Sequence, residues 1–221
     1  MCIRDSLNVV ALLEDIKEID IENPEQTVKE SYAKGEDIFR RSNNYFKKPI
    51  ISFSKRLTKD QIKQIGSHFD ELRNEREEER NKEKKEYKER ILENYIAGFD
   101  RIGINLREDQ IDAININLAS HNNTREEWSN LQQDWVEEFI ELLKTNQSYD
   151  YEMKMSSYLS SLENLGNENF REKINENEIL AIKIISFVFL TIDEKQFKGF
   201  NRSLDVYLKS INRILSKRKV N

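Results

Sequence analysis

Three stretches of this chain share one local pattern for starting a helix. The first is Leu57–Ile62, which contains, in this order, an apolar residue, Thr58, two polar residues, Gln61 and a second apolar residue. A Thr at the N-cap and a Gln three residues later can form a capping box, and the flanking apolar residues can form a hydrophobic staple. The pattern therefore predicts a helix that starts at Thr58, with Leu57 and Ile62 as its staple.

The same pattern recurs at Leu106–Ile111 and at Ile192–Phe197. The last copy keeps both devices, because Asp193 is a good N-cap residue and Gln196 follows three residues later. In the middle copy Arg107 occupies the cap position and is a poor cap, so only the staple is expected there. The residues assigned to these two starts are Leu106, Gln110, Ile111, Ile192, Asp193, Gln196 and Phe197.

The residues that interrupt helices are scarce in this chain. Its 221 residues include only 6 Gly and 2 Pro, with 35% charged and 37% hydrophobic residues. Apolar residues recur at helical spacing throughout, and no segment alternates as a strand does. We therefore predict an all-α, elongated multi-helix bundle, with residues 7–221 forming a single domain. Pro49 is expected to kink or break a helix.

A long charged helix is predicted from about residue 58 to 97. Its middle, Arg73–Arg90, is almost wholly charged. A charge run of balanced sign is usually a solvated helix face. The alternative is a docking surface, and the residues assigned to that possible contact surface are Glu77, Glu78, Glu79 and Arg80.

Two aromatic and apolar segments are expected to contribute to the core. Trp128 and Trp135 are seven residues apart and share a helix face, which is more typical of a core than of a ligand platform. Ile179–Ile192 is the most apolar run, and Lys183 interrupts it. It is too short to span a membrane and is predicted to be the most buried helix.

The first six residues need a separate interpretation. Met1–Ser6 resembles a translated sequencing-adapter tail, so we treat it as an artefact and expect a natural protein truncated at its N-terminus. A lipid-modified or reactive Cys2 is the less favoured alternative. Without Cys2 the chain has no cysteine, which excludes a disulfide or a thiolate nucleophile.

Few residues are suited to catalysis or metal binding. The two histidines, His68 and His121, stand beside no second histidine or cysteine, and each is interpreted as an ordinary packing or surface residue. No phosphate-binding glycine loop and no nucleophile elbow occur. We predict no catalytic residues, no cofactor and no metal. The net charge of -5 argues against general nucleic-acid binding.

The order of the motifs resembles that of a proteobacterial lipoprotein family of unknown function. In that family a Leu-Thr-x-x-Gln motif leads into a long charged helix, and a second motif and a helix with Trp follow. Leu57–Gln61, Leu106–Gln110 and Trp128–Trp135 stand here in that order. A more distant likeness is to periplasmic chaperones and stress proteins of the Spy and CpxP type.

The resemblance implies a location and a class of function. It implies a periplasmic protein of a Gram-negative envelope, held by a lipid anchor that this sequence lacks and otherwise not in contact with the membrane. We expect a non-enzymatic protein that binds unspecified envelope proteins or has a structural role. The alternative is an ATP-independent holdase chaperone.

Overall fold

A computed structural model of the protein describes residues 3–82, 86–161 and 166–218. Within these ranges the chain forms nine α-helices, a short 3₁₀ helix and no strand, which confirms the prediction of an all-α multi-helix bundle. The helices are α1 (Ile3–Lys17), α2 (Pro24–Ser54), α3 (Lys59–Lys82), α4 (Tyr87–Arg101), α5 (Glu108–Asn117), α6 (Arg125–Lys144), α7 (Tyr151–Ser160), α8 (Glu168–Leu190) and α9 (Glu194–Arg218), with the 3₁₀ helix at Leu118–Ser120.

The helices are grouped in two compact units, a division that the single-domain prediction did not anticipate. The first unit is drawn from Met1–Ser42, Glu86–Asn122 and Ile174–Asn221, and the second from Asn43–Lys85 and Asn123–Lys173. Helices α2 and α8 contribute residues to both units. The chain leaves the first unit and returns to it twice, so hydrophobic periodicity along the sequence could not indicate which helices belong together.

The first unit is built around α8. Leu180, Ile184 and Val188 lie at spacings of four residues on α8 and are buried. They join residues of α4, α5 and α9 in one apolar cluster, which includes Phe99, Ile114, Leu118, Phe189, Phe200 and Leu204. The apolar run was therefore correctly assigned to the core, although Ile179 and Leu190 at its ends are exposed.

The second unit has a smaller core between α3, α6 and α7. Its buried members include Leu57, Ile62, Leu143, Tyr151, Met155, Tyr158 and Leu159. Trp135 packs against this cluster and stacks on Phe139 and Tyr158, as expected of a core residue. Trp128 stacks on Phe170 but remains 44% exposed, so it contributes less to the core than its spacing suggested.

The predicted continuous helix from 58 to 97 is wrong. Helix α3 is described to Lys82, and α4 begins at Tyr87 after Glu86, whose backbone is extended at φ -65° and ψ 152°. An extended residue cannot continue the helical hydrogen bonds, and Glu86 instead serves as the N-cap of α4. The sequence around the break is almost wholly charged, so it contains no change in apolar spacing that would have indicated the end of a helix.

Helix α2 is not broken at Pro49, because it continues through this residue to Ser54, and the predicted kink stays a prediction. Pro49 has no N–H and so removes one intrahelical hydrogen bond to Tyr45. Pro49 is exposed, which leaves the carbonyl of Tyr45 on a side where water can replace the lost donor.

The residues that we interpret as an artefact include the first turn of α1, in which Ser6 is buried. The artefact interpretation stays a prediction.

Candidate functional site

The first motif forms an isolated helix cap in the second unit. The backbone N–H of Thr58 donates to Gln61 Oε1 at 2.9 Å, and the N–H of Gln61 donates to Thr58 Oγ1 at 3.2 Å. Leu57 and Ile62, the predicted staple, are both buried in the same apolar cluster. The Gln61 side chain itself is exposed, so this glutamine acts only within the local helix cap.

The third motif also forms a complete capping box. The N–H of Asp193 donates to Gln196 Oε1 at 3.1 Å, and the N–H of Gln196 donates to Asp193 Oδ1 at 2.8 Å. The backbone N–H of Gln196 holds the pKa of the Asp193 carboxyl below its usual range, and the charge of Arg107 acts in the same direction. Unlike Gln61, Gln196 is buried, with 5% of its surface exposed.

The second motif forms half of a box. Gln110 Oε1 accepts the backbone N–H of Arg107 at 3.0 Å, but a guanidinium has no acceptor to return the bond. Gln110 is fully buried and occupies the N3 position of α5, as Gln196 does in α9. The sequence correctly identified both helix starts but gave no indication that they meet.

The two buried glutamines bind each other. Gln196 Nε2 donates to Gln110 Oε1 at 2.8 Å and to the backbone oxygen of Asn105 at 2.6 Å. Gln110 Nε2 donates in turn to Thr191 Oγ1 at 3.1 Å. Each glutamine therefore caps its own helix through its oxygen and binds the opposite helix start through its nitrogen. We call Arg107, Gln110, Thr191, Asp193 and Gln196 the glutamine joint.

Close contact between two glycines allows the two helix starts to approach. A Cβ on Gly199 would lie 2.3 Å from the oxygen of Gly103, and a Cβ on Gly103 would lie 2.5 Å from the oxygen of Gly199. Gly103 also has a φ of +80°, which side chains disfavour. It ends α4: its N–H donates to Asp100 O, and the next N–H, of Ile104, donates to Phe99 O, as in a Schellman motif.

Arg107 connects the two helix starts from the outer side. Its guanidinium donates two bonds of 3.0 Å to the carboxylate of Asp109, and others to Gln196 Oε1 at 2.9 Å and Thr191 O at 3.1 Å. It also lies 3.4 Å from the Asp193 carboxylate. Arg is an unfavourable N-cap residue, but here Arg107 links α5 to α9 through long-range contacts that the local sequence pattern does not indicate.

The contacts of the glutamine joint indicate a structural role. Its amide oxygens and nitrogens are used in bonds between α5, α9 and the turns before them. A buried polar network of this kind fixes one arrangement of its elements. The three copies of the motif are thus local helix starts, and two of them are joined.

The acidic part of the predicted contact surface lies on α3 in the second unit. Glu77, Glu78 and Glu79 are all exposed, and the side chain of Arg80 lies outside the described residues. Nearby, Arg73 forms an ion pair of 3.4 Å with Asp70 along the same helix. Exposed pairs of this kind contribute little to stability, so the run is solvated as far as it is described.

The two histidines lie in ordinary surroundings. His121 Nδ1 is 3.2 Å from the hydroxyl of Tyr87, and partial burial lowers the pKa of the imidazole. His68 is exposed and lies 3.9 Å from Glu71. Among the described residues no group of three His, Cys, Asp or Glu side chains could hold a metal ion.

Several apolar side chains of the first unit lie outside its core. On α9, the buried residues Phe200, Leu204 and Leu215 face inward. On the same helix, Val206, Tyr207 and Ile214 are exposed by 59%, 44% and 50%. We call these three residues the α9 apolar face.

Comparison of the chain with protein families, with curated proteins and with solved structures gives no match. In the part of the chain that is described, no helix combines the length and the hydropathy needed to cross a membrane.

Proposed function

We propose that this chain is a non-enzymatic interaction protein that binds other proteins through exposed helix faces. The observation that carries the proposal is the α9 apolar face. Tyr207 and Ile214 are seven residues apart and share one side of the helix, at the edge of its buried side, and Val206 lies about a quarter turn further round. Single exposed apolar residues are ordinary on a protein surface, whereas neighbouring ones mark interaction sites.

The packing of α9 supports this assignment. The same helix contacts α1 through an ion pair of 2.5 Å between Lys17 and Asp205, and the hydroxyl of Tyr207 donates to Arg101 O at 3.0 Å. The face therefore lies on a helix that is held in place, in part by the hydroxyl of Tyr207 itself. A rigid element of this kind binds with a small loss of conformational entropy.

We further propose that the protein belongs to the periplasm of a Gram-negative envelope and is held there by a lipid anchor. This rests on the order of the Leu-Thr-x-x-Gln motifs and the Trp-bearing helix. The complete gene tests it: an upstream signal that ends in a small-residue box and a cysteine supports the location, and a cytosolic start or an enzymatic domain contradicts it.

A pair of variants tests the α9 apolar face. Val206→Ser with Ile214→Ser should abolish capture of a specific envelope protein, because it removes two apolar side chains of the face. Both side chains are exposed, so the fold should stay intact. Lys209→Gln with Lys195→Gln, at exposed polar positions of the same helix, should leave capture unchanged. Equal capture by both variants would contradict the proposal.

A second proposed contact surface is the acidic run of α3. Replacing Glu77, Glu78 and Glu79 by Lys reverses its charge, and binding through it should weaken with salt because exposed charges are screened. Unchanged binding would leave the run as a solvated surface.

The alternative function is an ATP-independent holdase. It is favoured by exposed apolar residues in both units, such as Phe39, Tyr149 and Met153, since an unfolded client offers many weak contacts. A holdase should suppress the aggregation of unrelated denatured proteins at near-stoichiometric amounts. A specific binding protein should ignore those clients.

A further inference from the structure

The C-terminal part of α2 and the turn after it carry an unusual charge. Residues 38–59 contain no Asp or Glu, although the whole chain has a net charge of -5. The part within the second unit, residues 43–59, has five basic residues, which are Lys47, Lys48, Lys55, Arg56 and Lys59. This is a local positive surface on a negative protein.

The same stretch exposes an apolar stripe. Phe46, Ile50 and Phe53 lie at positions i, i+4 and i+7 of α2, which places them on one side of the helix. They are exposed by 44%, 36% and 59%, and Tyr45 beside them by 55%. An apolar stripe at this spacing normally faces a core, but here all three side chains stay at least one-third exposed.

The side of α2 next to the stripe is fixed to the second unit. Ser54 is buried, and its Oγ accepts a bond of 2.6 Å from the hydroxyl of Tyr151. Asn146 Nδ2 donates to the backbone oxygens of Ser54 and Leu57, both at 2.9 Å. These bonds hold the end of α2 against the second unit while the apolar stripe stays exposed.

Some of these basic side chains bind other residues of the second unit, and others do not. Lys55 forms an ion pair of 2.6 Å with Glu152, and Lys47 donates to Ser160 Oγ at 2.7 Å. Within the described ranges, Lys48, Arg56 and Lys59 are exposed and form no ion pair. Three cations on this part of α2 and just after it thus remain available to an anionic partner.

We infer that this surface, formed by the apolar stripe with Lys48, Arg56 and Lys59, lies on anionic lipid membranes. An amphipathic helix with aromatic and aliphatic residues on one side and basic residues beside them binds at the boundary between headgroups and acyl chains. The long stems of Lys and Arg let the charges reach lipid phosphates while the apolar stripe is inserted. Tyr45 fits the same boundary, since its ring is apolar and its hydroxyl is polar.

Lipid fits the surface better than a nucleic acid does. Bases stack on planar rings, but Pro49 and Ile50 place aliphatic groups between Phe46 and Phe53. The net charge of -5 also repels an extended polyanion, whereas a bilayer meets only the side of the protein that faces it. The inference is independent of the α9 apolar face, which belongs to the other unit.

Vesicle flotation of the purified full chain tests the inference. The chain should float with vesicles of phosphatidylethanolamine and phosphatidylglycerol, and should not float with phosphatidylcholine alone. Lys48→Gln, Arg56→Gln and Lys59→Gln together should reduce the partition coefficient roughly 100-fold, because each basic residue strengthens binding about fivefold near an anionic surface. Phe46→Ser with Phe53→Ser should reduce it by a similar factor through lost apolar contact.

Two matched variants in the first unit serve as controls. Lys29→Gln, Lys195→Gln and Lys209→Gln change the net charge by the same amount at other exposed positions, and should float as the unmodified chain does. Val206→Ser with Ile214→Ser should also float, even where it loses a protein partner. Circular dichroism should show unchanged helix content in every variant.

Several outcomes would overturn the inference. They are equal flotation with neutral vesicles, no flotation of the unmodified chain, or flotation that neither α2 variant reduces. If the lysine control lost flotation to the same extent, the loss would come from the change in net charge and not from this surface. Tighter binding to a single-stranded oligonucleotide or to an acidic peptide than to the anionic vesicles would assign the surface to another partner.

Discussion

The substitution Gln196→Glu tests the glutamine joint directly. It keeps the shape of the side chain and the oxygen that accepts the N–H of Asp193, but replaces the amide nitrogen with a second oxygen. That oxygen would face the backbone oxygen of Asn105 and Gln110 Oε1, which now accept bonds of 2.6 and 2.8 Å. Two hydrogen bonds would thus become contacts between acceptors.

The expected loss of stability follows from these contacts. Leaving a buried polar group unsatisfied costs about 1–3 kcal/mol, and two acceptors lose their donor. The new negative charge is partly compensated by Arg107, whose guanidinium is 2.9 Å from Gln196 Oε1. We therefore expect the free energy of unfolding to fall by about 2–5 kcal/mol at neutral pH.

The first copy of the motif supplies a matched control. Gln61→Glu makes the same chemical change in a capping box, but Gln61 is exposed and a Glu is equally suited to its position. We expect its effect to stay within about 0.5 kcal/mol. Urea denaturation followed by circular dichroism compares the two variants, and hydrogen exchange of the amides near 104–111 and 192–197 localises the loss.

The pH dependence gives a second readout of the same variant. The unfavourable surroundings should raise the pKa of the introduced carboxyl above its unfolded value of about 4.3. The penalty is then present at neutral pH and should shrink as the pH falls through that raised pKa, since a protonated carboxyl can donate again. If Gln196→Glu were as stable as Gln61→Glu at neutral pH, the assigned bonds of the joint would be wrong.

Three further predictions concern single positions, and urea denaturation measures each. Gly199→Ala should destabilise the chain by more than about 2 kcal/mol, because its Cβ would lie 2.3 Å from Gly103 O; Gly35→Ala, with open space around it, should be neutral or stabilise by up to about 1 kcal/mol. Thr58→Ala should cost about 0.5–2 kcal/mol through loss of the cap, and no change would argue against the capping box. Burial lowers the pKa of His121, so stability should fall as the pH drops through its unfolded value of about 6.5, and His121→Gln should remove that part of the dependence.

Local signals allowed most of the fold to be predicted from the sequence. Thr58, Gln61, Asp193 and Gln196 determine helix starts through contacts within four residues, and these starts are present where they were expected. The scarcity of glycine and proline correctly indicated an all-α fold. Both signals are local and depend little on what packs against the helix.

The features that the sequence did not reveal depend on distant residues. Gln110 and Gln196 are 86 positions apart, and their bond depends on the approach of Gly103 to Gly199. A surface cap such as Gln61 has the same local sequence pattern as a buried one. Separation of α3 from α4 was missed for a related reason, since a uniformly charged stretch has no periodicity that changes where a helix ends.

Site-specific photo-crosslinking from the α9 apolar face tests the proposed function most directly. A crosslinking residue at Ile214, in the chain expressed in the envelope of a Gram-negative host, should give a discrete adduct with a protein partner. The adduct should disappear when Val206→Ser is added and when excess unlabelled chain competes. The same crosslinker at the exposed Asn212, which lies two residues from Ile214 and so on another side of α9, should give no such adduct. A diffuse set of adducts from both positions would favour the holdase, and no adduct from Ile214 would contradict protein binding through this face.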